Sequence, residues 1–442
     1  MATLASTAGS PGRLRWLIIW LVFIVSAVSY LDRTNISIAA QQIRSEFAIS
    51  QVQLGTVLTA FILGYALTQP FAGRLADRFG GQRVISWGIV WWSVLTVLTA
   101  CVSAGFAGAF ALLLVVRVLL GIGESVIYPA SNRLVANWIP VHERGLANGL
   151  IFAGVGFGAG VAPPLITFIM IDYGWRAAFW ASAAIGVVVL VIWMWLARER
   201  PSDHAGISAE ERDYIETGLS VAAAASVRQD EDVRPLSWRE ILGNRHMRLL
   251  TLAYFCFGYT AFIFFTWFFT YLSTVKNLDL KSSGWYGMLP FIAMSVACAF
   301  GGWFSDRLTV SRGKRIGRCF TAAFGMALAG ICVALATQVE DARFAAMVLA
   351  AGSGSLYLSQ SAFWTLSADY GRSSAGAVSG VMNMGCQLGG AAVAQVTPII
   401  AESFGWTSSF LVTAAAAGIG AVCWLMIDPH AEMRPGPVEA SA

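Results

Sequence analysis

The sequence predicts an all-α membrane protein of twelve transmembrane helices arranged as two six-helix parallel repeats. Three observations carry that expectation. Of 442 residues, 57% are hydrophobic and 12% charged, about half the roughly 25% charged residues of a soluble domain. The charges also cluster, because the 48 residues from Arg198 to Arg245 hold 17 of the 54. What remains is apolar runs of about 20 residues, the length that crosses a ~30 Å hydrocarbon core as helix. The third observation is an internal repeat. A shift of 231 residues superposes Gly121 on Gly352, Gly123 on Gly354, Gly145 on Gly376, Gly149 on Gly380, Gly154 on Gly385 and Gly158 on Gly389. It also carries Gly174, Trp175 and Phe179 onto Gly405, Trp406 and Phe410.

The runs are continuous and do not alternate with period two, which excludes an outer-membrane barrel. They begin near Trp16, Val52, Val84, Phe110, Leu146 and Ala177, then near Leu249, Gly284, Phe320, Phe344, Ala375 and Trp406. The expected organisation is a six-helix half over 1–197, a cytoplasmic linker over 198–248, a second half over 249–427 and a tail over 428–442. The first run follows Arg13 and Arg15, is too long for a signal-peptide core, lacks a small-residue cleavage site and carries Asp32 and Arg33, so it reads as an uncleaved first span. The linker, Ala-rich at 221–226 and acidic at Asp230, Glu231 and Asp232, reads as a solvated tether with one or two surface helices.

Orientation follows from basic residues. With the N-terminus inside, 21 Lys and Arg fall on the cytoplasmic face and five on the other, and 13 against five without the linker, so the positive-inside rule places both termini in the cytoplasm. A formal charge of +4 argues against a nucleic-acid partner. Seven cysteines without a C-x-x-C pair suggest neither disulfides nor a metal site, and four loop histidines leave no intramembrane nucleophile–base pair. Neither an enzyme nor a cofactor is expected.

Inside the spans four charges remain: Asp32 and Arg33 in the first, Arg117 and Glu124 in the fourth. Such residues cost at least a few kcal/mol at mid-membrane, and they usually pair, face a cavity and mark a pathway. Arg117, Gly121, Glu124 and Tyr128 follow i, i+4, i+7 and i+11, one helical stripe. Tyr30, Arg33 and Ser37 form a comparable stripe, with Asp32 about 100° away, an arrangement that points Asp32 at the fourth span and Arg33 at a central cavity. A guanidinium holds a carboxylate by two parallel hydrogen bonds, so an organic anion is the expected cargo. A proton as the coupling ion would have to ride on Asp32 or Glu124.

A second motif, Gly73-Arg-Leu-Ala-Asp77-Arg78-Phe-Gly80-Gly-Gln-Arg83, lies between spans two and three and is echoed by Asp306-Arg307 with Lys314 and Arg315. Asp77, Arg78, Asp306 and Arg307 are candidates for a cytoplasmic gate that pairs across the halves. This motif, the twelve spans and the duplication resemble the major facilitator superfamily. Within it, Leu31-Asp32-Arg33-Thr34-Asn35, Arg117-x3-Gly121-x-Gly123-Glu124-x4-Pro129 and Trp138-Ile-Pro140-x2-Glu143-Arg144 resemble the anion:cation symporter family, which includes bacterial sugar-acid/proton symporters and animal sialic acid and vesicular glutamate carriers.

The resemblance implies that Arg33 binds the substrate carboxylate, that Tyr30 and Tyr65 line its pocket, and that Asp32 and Glu124 couple protons with Arg117 as their partner. The second half would supply Ser361, Trp364 and Asn383. One departure stands out: where sugar-acid members offer a glutamine in the fifth span, this chain has Phe152, which favours a less hydroxylated or aromatic acid. The expected protein is a proton-coupled importer of a small organic anion in the bacterial inner membrane, working as a monomer among lipids. A sodium-coupled carrier, an exporter and a non-transporting membrane sensor are the alternatives.

Overall fold

The structure, a computed structural model, describes residues 13–140, 143–229, 236–371 and 375–431, the side chains at 70, 77, 144, 145, 220–229, 238, 368 and 375–377 excepted. Among these residues the regular structure is helical. Helix α1 (Leu14–Ile38) runs into a short α2 (Ala40–Phe47). A capping box of Ser50 and Gln53 then starts α3 (Gln51–Phe79). Next come α4 (Gly81–Cys101), α5 (Ala109–Glu124), α6 (Ile127–Trp138) and α7 (Arg144–Leu196). The linker holds α8 (Ala209–Gln229) and α9 (Trp238–Gly243). Beyond it lie α10 (Arg245–Thr266), α11 (Phe268–Thr270), α12 (Leu280–Gly287), α13 (Leu289–Arg312), α14 (Thr321–Ala336), α15 (Ala342–Tyr357), α16 (Gln360–Gly371) and α17 (Ala375–Met426).

Nine stretches among the described residues are long and apolar enough to cross a bilayer. Two of them, of 51 and 49 residues, are about twice the required length, and each turns back at a glycine. Gly174 in α7 has φ 77° and ψ 172°, and Gly405 in α17 has φ 83° and ψ 162°, a conformation closed to side chains with a Cβ. The reversal in α7 brings its far end back to α6, where Trp138 Nε1 donates to the Arg198 carbonyl at 3.0 Å. These glycines are the repeat partners 174 and 405, so repeated sequence appears as repeated backbone.

The same repeat governs packing. On α7, Gly154 and Gly158 lie four apart on one face, and a Cβ at either would collide with the carbonyl oxygens of Phe23 and Ala27 on α1. On α17, Gly385 and Gly389 receive α10 in the same way, against the carbonyls of Thr251 and Phe255. Two helix pairs are thus held backbone to backbone, the close approach that small residues permit between apolar helices.

The linker carries two helices, within the one or two expected, but it is not merely a solvated tether, because α8 docks. Glu211, 1% exposed, accepts from the backbone nitrogens of Leu14 (3.1 Å) and Arg15 (3.0 Å) and from Arg15 Nη1 at 3.2 Å. Arg15 Nε reaches Glu143 at 2.9 Å, and Tyr214 OH donates to Glu143 at 3.1 Å. Glu211 therefore caps the start of α1, satisfying amides that a helix N-terminus leaves free and placing negative charge at its positive end.

Contacts between the N-terminal helices (α1–α7) and the C-terminal helices (α10–α17) gather toward the end where α2 lies. There Gly55 meets Ala394, Pro398 and Trp267, Gly284 meets Thr167 and Pro163, and Thr59 Oγ1 donates to the Ala391 carbonyl at 3.2 Å. Toward the linker end, glycines 73, 149 and 380 would place a Cβ in open space. At the α2 end a fork from Arg176 grips Glu46 with two bonds of 2.6 Å, and Trp175 Nε1 adds a third at 2.8 Å. The Arg176 guanidinium holds the Glu46 carboxyl below its ordinary value of 4.5.

Two outcomes follow. Gly158→Ala should lower the apparent melting temperature of the purified protein by several degrees, overpacking costing about 1–3 kcal/mol, whereas Gly149→Ala, with open space for its Cβ, should leave it unchanged or raise it slightly. Because the folded-state pKa of Glu46 is depressed, its stabilisation is present above about 4.5 and is lost as pH falls through the lower folded value. Glu46→Gln should therefore melt earlier than the parent at pH 7, with the gap closing toward pH 3.

Candidate functional site

Gly121 sets the site's geometry. A Cβ there would strike the Phe61 carbonyl oxygen, so α3 and α5 lie in backbone contact, and Phe61 and Tyr65 stand beside the charged stripe of α5. On α1, side chains lean toward the helix N-terminus, so the Arg33 guanidinium comes to rest near the turn of Ser29 and Tyr30. There Arg33 Nη2 pairs with Glu124 Oε2 at 3.1 Å, and Ser29 Oγ donates to the same oxygen at 3.2 Å. Both ionic groups are buried, Arg33 at 7% exposure and Glu124 at 0%.

Aromatic faces complete the cage. The Arg33 guanidinium carbon lies 4.3 Å from the Tyr30 ring centre, 4.6 Å from Tyr65 and 5.0 Å from Phe61. Arg117 sits 4.8 Å from the same Phe61 ring. Ring quadrupoles attract cations most strongly where water is excluded, so these rings stabilise two guanidinium groups, of which Arg33 is the one paired with Glu124. Donors remain to spare: Arg33 Nε and the Nε and Nη1 of Arg117 are buried without hydrogen-bond partners, as is Glu124 Oε1. Beside Arg33 is a cavity of about 20 Å³ lined also by Leu58, Phe262, Phe265 and Thr266, room for about one water molecule.

One expected pairing changes. Glu124 pairs with Arg33, where Arg117 was the expected partner. Asp32, 2% exposed, has Thr96 of α4 and Ser182 of α7 beside it and lies within electrostatic reach of Glu124 and Arg117 on α5, so it sits in the interior of the N-terminal helices. Ser182 accepts from Asn35 Nδ2 at 3.0 Å, while both Asp32 oxygens lack a hydrogen-bond partner. The 100° offset between Asp32 and Arg33 leaves Asp32 outside the hydrogen bonds of the ion pair while still within electrostatic reach of Glu124 and Arg117.

The C-terminal residues form a second cluster. Trp364 on α16 leans on Phe152 of α7, ring centres 6.1 Å apart, and on Tyr254 of α10 at 6.5 Å. Its Nε1 and the Ser361 hydroxyl are buried without partners. Asn383 Nδ2 donates to Gln69 Oε1 at 3.1 Å, and Gln69 lies one turn from Tyr65 on α3, so Asn383 reaches the same surface. Tyr128 stacks on Phe152 at 5.2 Å and 8°, and its hydroxyl meets Ser26 Oγ at 3.0 Å. The two clusters are therefore continuous, from Arg33 through Tyr30 and Tyr128 to Phe152 and Trp364.

Several members escape sequence reading. Gln69 and Gln360, the latter donating to Tyr254 OH at 3.1 Å, carry a usable signal, since amides inside apolar spans are as conspicuous as charges. Phe61 and Tyr254 carry none, because nothing in the sequence separates a cavity aromatic from a core one.

Of the gate candidates, Asp306 pairs with Arg318 at 2.7 Å, Arg307 lies over the Trp303 ring at 5.7 Å, and Arg78 lies over Phe79 at 5.2 Å. These partners belong to the same set of helices as the residues they hold. The Asp77 side chain lies outside the described residues.

Similarity to known proteins agrees with this architecture. The Major Facilitator Superfamily profile matches residues 22–394. The "Probable sulfoacetate transporter" of Cupriavidus necator is 32% identical over 419 residues, 94% of each chain. The D-galactonate transporter of Escherichia coli is 29% identical over 428 residues, covering 95% of this chain and 97% of that one. A solved bacterial homologue of the human lysosomal transporter Spinster superposes with a TM-score of 0.76 at 19% identity, over 97% of this chain and 100% of that one. The chain is an integral multi-pass membrane protein and belongs to the major facilitator superfamily.

Proposed function

We propose that this protein is a secondary transporter that imports a small organic anion together with protons. The observation that carries the reading is the Arg33–Glu124 pair, a buried guanidinium with an unused Nε donor, held by a carboxylate that a proton can neutralise. Relatives named for sulfoacetate and D-galactonate transport supply the substrate class. Protonation of Glu124 removes the countercharge, and the cargo's carboxylate takes its place on Arg33, with Tyr30 and Tyr65 forming the walls and Ser361, Trp364 and Asn383 facing them. Asp32, with no partner for either oxygen, is where an isolated charge would cost most, and it serves as the second proton position. Arg117 keeps a positive field beside the exchanging pair.

The architecture proposed is twelve spans in two halves, 1–197 and 249–427, joined by the linker 198–248 and followed by a tail over 428–442. The two long stretches folded at Gly174 and Gly405 count as two spans each, and α15 with α16 completes the set. Cytoplasmic termini, from the basic-residue asymmetry, make the linker end the cytoplasmic end and the state described here inward-open. Closing that end would let Asp306 exchange Arg318 for a partner across the interface, with Asp77, Arg78 and Arg307 in the same role. The proposed setting is a bacterial inner membrane, and the working unit is one chain.

Direct binding tests this. Titrated with an accepted carboxylate, the wild-type protein should bind more tightly as pH falls, because Glu124 must take up a proton before Arg33 is free. Glu124→Gln should bind with an affinity that changes less between pH 5.5 and 8 than the wild type's, and in vesicles it should exchange substrate while accumulating less of it. Arg33→Ala should weaken binding at least 100-fold, and unchanged affinity in that variant would sink the carboxylate site.

A further inference from the structure

The interior of the transporter holds a large ring that the fold does not hide. Phe152 is 39% exposed although it sits between the two halves, touching Tyr128 on one side and Trp364 on the other. An apolar ring partly open to an internal cavity offers a face that only another apolar body can cover. Around it the surface is aromatic: Tyr128 is stacked nearly parallel to it at 8°, and Trp364 is tilted by 39° across the interface with Tyr254 behind it. Among the buried polar atoms there, the Ser361 hydroxyl, the Trp364 Nε1 and the Gln360 Oε1 lack hydrogen-bond partners, and Asn383, bonded to Gln69, adds an amide on the same surface. The Tyr128 hydroxyl is already engaged by Ser26.

Register along α1 gives the spacing. The Arg33 guanidinium shares a Glu124 oxygen with Ser29, and the Tyr128–Phe152 stack is tied to Ser26. Three helical residues separate these anchors, a rise of about 4.5 Å. A carboxylate joined to a ring through a short link can reach from one turn to the next. A six-carbon polyhydroxy acid placed there would turn several hydroxyls toward ring faces, and each one stranded without a partner costs roughly tenfold in affinity.

We infer that the cargo is a compact aromatic carboxylate, its carboxyl on Arg33 and its ring stacked in the cleft of Tyr128, Phe152 and Trp364, with Phe152 as the residue that selects a ring over a polyol. The inference rests on Arg33 as the anion holder.

The test is calorimetric titration of the purified full-length protein in nanodiscs with benzoate, phenylacetate, cyclohexanecarboxylate, D-gluconate, D-galactonate and sulfoacetate. Benzoate or phenylacetate should bind at least tenfold more tightly than either hexonate, with cyclohexanecarboxylate between them. Phe152→Gln should weaken the aromatic acids at least tenfold while leaving or improving the hexonates. If Phe152→Gln is not recovered folded, Phe152→Leu, which keeps bulk but loses the ring face, should cut the advantage of benzoate over cyclohexanecarboxylate at least threefold. A hexonate preferred by the wild type, or equal losses for both classes in either variant, would overturn the inference. Sulfoacetate separates this failure from that of the anion site: Arg33-dependent binding of sulfoacetate without binding of aromatic acids refutes the ring cleft alone. Aromatic binding that survives Arg33→Ala refutes both.

Discussion

A guanidinium and a carboxylate facing each other, both buried, are the constraint around which this molecule is arranged. Either charge alone would be prohibitively placed, since an unpaired ion deep in an apolar interior costs several kcal/mol even after relaxation. Together, with a serine hydroxyl on the shared oxygen and three ring faces around the cation, they are tolerable. The surrounding features follow from keeping that pair buried and in register. Gly121 brings α3 against α5 so that Phe61 and Tyr65 reach the cations, and Gly154 with Gly158 brings α1 against α7 so that the α1 stripe is held in place.

How much of this is legible in the sequence depends on whether a residue type is costly where it stands. Charges in apolar spans are costly, so Arg33, Arg117 and Glu124 declare themselves, and the structure brings them within one cage. Glycines repeated at a fixed shift are equally legible, because a helix spends conformational entropy on each one and only close approach or a positive φ returns it. Gly174 and Gly405 supply the second reason, and Gly158 and Gly389 the first. Partner choice is less visible. Spacing fixes which face of α1 carries Asp32, but the neighbour on that face depends on how α4 and the far arm of α7 close around it, a matter of tertiary packing that one helix cannot report. Glu211 was hidden for the opposite reason. It lies among many charged residues, where a carboxylate is cheap, and only the docked position of α8 reveals it as the cap of α1.

The closed end and the open end of the interface have different chemistry. At the α2 end the two sets of helices meet through glycine, proline and rings, and Phe265 lies against Tyr30 with ring centres 5.7 Å apart. This apolar plug leaves beside Arg33 a space of only about 20 Å³. At the linker end the motif loops carry ion pairs, Asp306 with Arg318 and Lys314 with Asp369 at 2.7 Å each. Both pairs lie within the C-terminal helices, and an exposed one such as Lys314–Asp369 is worth little, about 0–1 kcal/mol. Contacts that must break and re-form in each cycle have to be near balance, whereas apolar contacts that shield a buried charge have to exclude water completely while they last.

The asymmetry between the halves bears on the energetics of transport. All four deep charges belong to α1 and α5, and the proposed contacts from α16 and α17 are neutral. If the N-terminal helices hold the anion's charge throughout, rocking the other half over the cargo moves no ion pair and strips no new charge of its partner. The electrostatic part of binding is then nearly the same in the inward-open and outward-open states, and the C-terminal half is left to sense the shape and polarity of the cargo's body. Ionic contacts supplied from both halves would be lost and remade at every transition, and each loss would leave a buried charge bare. Confining the charges to one half leaves the conformational change to neutral contacts, of which the face of Phe152 against Trp364 is one that spans the interface directly.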